Sequence, residues 1–199
     1  MKAEQCLIVQ ATSLVNGFSQ ITLKAPEHAK QAAPGHFVIV ENAIPCYLAG
    51  AHNDTLTLII KTLPEKKSLG VSALRGEALP VPREGTFYLM QANDEACSAA
   101  IFYITKYRKH FQGLLLLGTT SHFPFKPCPS RLLIPGIPPD VIAALPLFED
   151  WQVPHRLASL KEQPGCFYGT TETLAQKWLA AHSDIANTVN TLYIAPLDK

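Results

Sequence analysis

Hydrophobic and polar positions change rhythm partway along the chain. Up to about residue 86 the apolar residues fall in short runs broken by turn residues. Leu7-Ile8-Val9 opens the first run. Asn16-Gly17 separates Cys6 to Val15 from Phe18 to Ala25. An Asn-Gly pair tolerates positive φ, so these two runs read as a β-hairpin. Pro34-Gly35 marks another turn before the strand His36 to Val40. Asn53-Asp54 turns the chain into Thr55 to Lys61, which begins with the alternation of a half-buried strand. Ala78 to Pro82 reads as a last short strand, closed by Pro82. Short strands at regular spacing with almost no helix signal predict a small antiparallel β-barrel over residues 1–86.

From Phe87 the pattern becomes strand–helix alternation. Phe87 to Gln91 is strand-like, and Asn93 or Asp94 can cap a helix running to about His110. Gly113 to Gly118 is a continuous apolar run, as in a parallel strand covered on both faces. Arg131 to Pro135 reads as a strand. Pro139-Asp140 begins a helix to about Trp151, which Pro146 should kink. His155 to Ser159 and Cys166 to Gly169 are strand-like. Thr170 or Thr171 caps a helix to about His182, and Thr191 to Ala195 closes the chain as a strand. Residues 87–199 therefore predict a doubly wound α/β unit with a parallel sheet, of the nucleotide-binding type.

Composition narrows the function classes. Hydrophobic residues make up 47% and charged residues 17%, which excludes a disordered chain. The formal net charge of +1 argues against nucleic acid as a partner. The longest apolar runs, such as Leu114 to Leu117, fall far short of the ~20 residues of a membrane helix. Glu4 and Gln5 interrupt any leader-like start, so a cytoplasmic protein is expected. The 16 prolines favour turns over a helical bundle. Cys6, Cys46, Cys97, Cys128 and Cys166 lie at no metal-ligand spacing, so five reduced thiols and no metal centre are expected.

Other constellations are sparse. The seven His residues form no metal-binding pattern, and no Ser sits in a nucleophile elbow. Neither Gly113 to Gly118 nor Gly165 to Gly169 is followed by the Lys-Ser or Lys-Thr of a phosphate loop. Phe123 and Phe125, beside Lys126 and Arg131, could stack on a planar ring and hold a phosphate. The alternative is packing onto the sheet edge. Arg131 and Arg156 would form an anion site, suited to the 2′-phosphate of NADP, if their strands ended at one rim.

Several segments carry a family likeness. Leu7 to Pro26, ending Leu23-Lys24-Ala25-Pro26, is similar to the opening hairpin of the ferredoxin reductase superfamily. Ala33 to Ile39 resembles that family's Pro-Gly-Gln-Phe strand. Ile44 to Ala49 stands at its flavin strand, and Lys67-Ser68 to Gly76 at its flavin-phosphate segment. Within the superfamily the order of segments most resembles the electron-transfer subunits of dihydroorotate dehydrogenase. The resemblance implies an FAD-binding barrel, an NAD(P)-binding α/β unit and a redox partner protein. It assigns cofactor contacts to Tyr47, Lys66, Lys67 and Ser68 in the barrel, and to Gly169 and Thr170 beyond it.

The functional positions depart from that pattern. Ile44 stands where the family carries a flavin-pyrophosphate Arg. The turn Gln91 to Cys97 has no Gly for close approach to a pyrophosphate, and Asp94 and Glu95 would repel phosphate. Tyr168-Gly169-Thr170 replaces the family's Cys-Gly-Pro, with Cys166 two residues early on the same strand face. Asp184 to Lys199 holds no Cys, so no iron–sulfur cluster is expected. These departures leave three readings open. The chain is a redox accessory or electron-transfer subunit, with or without flavin and with nicotinamide chemistry in doubt, an active NAD(P)H-dependent flavoprotein oxidoreductase, or a scaffold that has lost nucleotide binding.

Overall fold

The computed structural model describes residues 3–61 and 66–197. The chain divides into two compact units. One is formed by the described residues of 1–81, 95–106 and 196–199, the other by 82–94 and 107–195.

The first unit is built on six strands: β1 (Glu4–Ser13), β2 (Phe18–Lys24), β3 (Phe37–Val40), β4 (Ile44–His52), β5 (Thr55–Lys61) and β6 (Ser68–Val71). They close into an antiparallel barrel in the order β1-β2-β5-β4-β3-β6. A 3₁₀ turn over Val15–Gly17 joins β1 to β2, with Asn16 at φ 58° and Gly17 at φ 75°. That left-handed pair is what the Asn-Gly signal anticipates. In β5 the alternation sends Leu56, Leu58 and Ile60 inward against Ile21, Leu23 and Leu48. Helix α1 (Pro26–Gln31), which the strand pattern does not predict, starts with Pro26 in its first turn, where a missing N–H is harmless. Helix α2 (Ala96–Tyr107) adds Phe102 to the barrel core.

The second unit carries β7 (Phe87–Asn93), β8 (Gln112–Thr119), β9 (Cys128–Pro129), β10 (Ala143–Ala144), helix α3 (Pro146–Asp150), β11 (His155–Ser159), β12 (Phe167–Tyr168), helix α4 (Thr171–Ala181) and β13 (Asn190–Ile194). Its main sheet is parallel, in the order β12-β11-β8-β7-β13. The chain winds outward from β7 through β8, β11 and β12, then returns to the far side of β7. Strand order therefore reverses at β7, the position where such sheets present a ligand crevice at their carboxyl ends. Leu114 to Leu117 are fully buried, as their continuous apolar run requires. Leu174, Ala175 and Trp178 of α4 pack on Leu89, Leu114 and Leu116. Among the described residues no helix is long and apolar enough to cross a membrane.

Five local expectations are corrected. Ala78 to Pro82 and Arg131 to Pro135 are not strands. The helix expected from Pro139 shrinks to α3, because Ala143-Ala144 pairs with Cys128-Pro129 as a strand first. Pro146 opens that helix instead of kinking it. Asp94, with φ 50°, lies ahead of α2 with its carboxylate engaged on the β8 end.

Candidate functional site

The residues assigned to a flavin are spread along the barrel wall. Tyr47 on β4 is register partner to Phe37 on β3, and the two rings meet edge-on with centroids 6.0 Å apart. Burial, and then the charge of Glu95, raises the Tyr47 phenol above its ordinary pKa. Ser68 opens β6 and donates to Gln5 Oε1 at 3.2 Å. Ile44 and Val71 are both partners of Val40, and β4 and β6 run in the same direction. Tyr47 lies three residues beyond that shared row and Ser68 three before it. At ~3.3 Å per residue they stand about 20 Å apart along the strands. The barrel therefore does not bring Tyr47 and Ser68 together.

Lys66 is paired with Glu41 Oε2 at 2.9 Å, and Glu41 Oε1 accepts from Gly70 N at 2.9 Å. The Gly70 amide, then the Lys66 ammonium, hold the Glu41 carboxyl below the usual carboxylate range. A carboxylate of the chain itself thus takes the amide and the ammonium that a phosphate would use. Lys67 is exposed. A strand, not a helix amino terminus, follows this lysine pair. The cation in Tyr47's own row is Arg75, which bridges Phe37 by backbone pairing and is exposed. Phe37, Tyr47 and Arg75 stand in one row, where a flavin ring and its phosphate would meet two aromatic rings and a cation, and Ile44 offers neither. The sequence does not single out Arg75, because no strand signal surrounds it.

In the second unit the carboxyl ends of β7, β8 and β11 form a rim of polar side chains that bond to one another. Asp94 Oδ1 accepts from Thr120 N at 2.9 Å and from the hydroxyls of Thr119 and Thr120 at 3.1 Å each. Asn93 Oδ1 accepts from Thr171 Oγ1 at 3.1 Å, and Asn93 Nδ2 lies 3.4 Å from Glu172 Oε1. Gly118 is what permits this. A Cβ there would collide with the Asn93 carboxamide and the Thr171 methyl group. Gln163 Nε2 donates to Ser159 Oγ at 2.6 Å and to Ser121 O at 3.3 Å. Gly169 (φ 147°) donates its N–H to Ser159 O at 3.0 Å. Thr170 caps α4, its hydroxyl accepting from Thr173 N at 3.2 Å. Tyr168 is 73% exposed, and burial raises the Cys166 thiol to about 11, so no thiolate stands ready there.

The two arginines expected at one rim are not arranged that way. Arg156 is the second residue of β11, three before the rim, and is 4% exposed. It donates to the carbonyls of Val141, His155 and Leu132 and to Ser130 Oγ. Arg131 lies in a loop and is exposed. Phe123 and Phe125 stack on each other at 5.0 Å. Beside Arg156, His155 Nδ1 faces Val153 O and its Nε2 accepts from Leu145 N, both at 2.7 Å, which fixes the Nδ1–H tautomer. Burial drives its pKa down to about 4. Among the described residues no group of three or more His, Cys, Asp or Glu side chains is placed to hold a metal ion.

No family model matches the sequence, and no curated protein matches it. Solved structures do match in fold. The NADH-dependent reduced ferredoxin-NADP oxidoreductase is 12% identical with TM-score 0.59, over 87% of this chain and 63% of that one. Ferredoxin-NADP+ reductase from Plasmodium falciparum is 11% identical with TM-score 0.59, over 94% of this chain and 84% of that one. The flavohem-like FAD/NAD-binding domain of nitric oxide dioxygenase from Vibrio cholerae O1 biovar El Tor is 10% identical with TM-score 0.58, over 98% of this chain and all of that one. The chain thus has the ferredoxin-reductase fold, an antiparallel barrel and a parallel-sheet unit, and it spans less than two thirds of the first of these proteins.

Proposed function

We propose that this chain is a ferredoxin-reductase-like accessory or electron-transfer subunit that works beside a redox partner protein and does not accept hydride from NADH or NADPH. The observation that carries this reading is Asp94. Its carboxylate holds the Thr120 amide and two hydroxyls at the carboxyl end of the sheet, where a bound pyrophosphate would need donors. A phosphate brought there meets a fixed negative charge, and no glycine turn opens the backbone to it. The barrel is less closed. Phe37 and Tyr47 offer a ring edge and Arg75 an exposed guanidinium in the same row. A flavin, whose chemistry is one- and two-electron transfer, would be held there by Arg75 on its phosphate.

The experiment is a visible spectrum of the purified full chain after incubation with FAD or FMN and desalting. It is repeated with dithionite, NADH and NADPH. A flavin band bleached by dithionite and untouched by either nicotinamide supports an electron-transfer subunit. A colourless protein supports the accessory role without flavin. Bleaching by NADH or NADPH overturns the proposal.

A further inference from the structure

The loop ahead of β11 forms a half-open pocket that nucleotide binding at the strand ends would not use. Its volume is about 200 Å³, room for roughly seven waters. Leu132, Ile134, Ile137, Val141 and Ile142 supply apolar walls, and Arg156 also lines it. Arg156 is 4% exposed, and its guanidinium clasps the loop through the carbonyls of Leu132 and Val141. Of its five N–H donors, four are matched: to Val141 O, Ser130 Oγ, His155 O and Leu132 O. The second Nη2 hydrogen has no acceptor among the described residues. A buried donor left unmatched is costly, and more so when it carries charge.

Ser130 Oγ donates to Glu149 Oε2 at 2.9 Å while accepting from Arg156, so one carboxylate answers the buried guanidinium through a hydroxyl. The same Glu149 carboxylate also receives the Arg131 amide at 2.6 Å and faces Arg131 Nε at 3.6 Å. Arg131 and Asp140 of the loop are both exposed, so the buried charges are Arg156 and Glu149, joined through the Ser130 hydroxyl.

We propose that this pocket binds a small apolar anion, a carboxylate on a branched aliphatic or aromatic body. One carboxylate oxygen takes the unmatched Arg156 hydrogen, and the body packs against Ile134, Ile137 and Val141. The volume is below the ~300 Å³ of drug-sized sites, which excludes a dinucleotide. The pocket lies toward the amino end of β11, away from the Asp94 rim, so this inference stands or falls independently of the proposed function.

The test titrates the isotopically labelled full chain with benzoate and hexanoate, and in parallel with benzamide and hexanamide, following backbone amide shifts by NMR. Saturable shifts centred on Leu132 to Ile142 are expected, with the acids binding at least about tenfold more tightly than the amides. Arg156→Lys would remove the fork but endangers the loop. Ile142→Glu, at a half-exposed wall position, sets a carboxylate in the pocket and should abolish acid binding while leaving the folded spectrum intact. The proposal is overturned if neither acid gives saturable shifts, if amides bind as well as acids, if the shifts map elsewhere, or if Ile142→Glu binds as the parent does.

Discussion

At the level of single residues the proposed function rests on Asp94. One of its two carboxylate oxygens, Oδ1, accepts from three donors on Thr119 and Thr120, so the strand end already holds an internal anion. Asp94→Ala should lower stability by about 1–2 kcal/mol, the cost of charge-assisted hydrogen bonds at a half-exposed site, measured by urea unfolding. Freeing those donors should not create NADH oxidation, because no glycine turn replaces the lost contact. His155 acts through its proton. Its folded pKa of about 4 lies below the unfolded value near 6.5, so the unfolded chain binds more protons between the two. Its contribution is complete above about pH 6.5 and is lost as the pH falls toward 4, up to about 3 kcal/mol. Unfolding midpoints measured across that window should slope downward with acid in the parent, and His155→Gln should flatten the slope.

The elements that could be read from sequence are those whose signals are local. The Asn16-Gly17 turn, the run Leu114 to Leu117 and the Thr170 cap each carry their own cause, and each stands where expected. Thr170→Ala should cost about 1 kcal/mol, through loss of the α4 cap, in a thermal melt. Elements decided by distant pairing were not legible. Ala143-Ala144 looks helical until Cys128-Pro129 arrives beside it, and Arg131 to Pro135 looks extended until Arg156 and Glu149 fix its backbone groups. The short helix α1 hides between strands because six residues carry too little periodicity to register.

At the scale of the molecule, the order of segments was enough to anticipate a barrel followed by a parallel sheet, because turns, runs and caps recur in that order along the chain. The site was only half legible. Sequence flagged Ile44 and the glycine-free Gln91 to Cys97 turn as poor phosphate sites, and Asp94 as repelling. It could not foresee that Glu41 would reach Lys66, that Asn93 would lie over Gly118, or that Arg75 would join the Tyr47 row. Each of these depends on neighbours far apart in sequence. The barrel register is also what separates Tyr47 from Ser68, which linear spacing could not reveal.

The measurement that bears most directly on this account is a calorimetric titration of the full chain with NADH and with NADPH, alongside the Asp94→Ala variant. We expect no saturable heat with either nucleotide in the parent chain, because Asp94 already occupies the donors of the strand end. Saturable binding of NADH or NADPH to the parent chain, accompanied by bleaching of a bound flavin, would contradict the account.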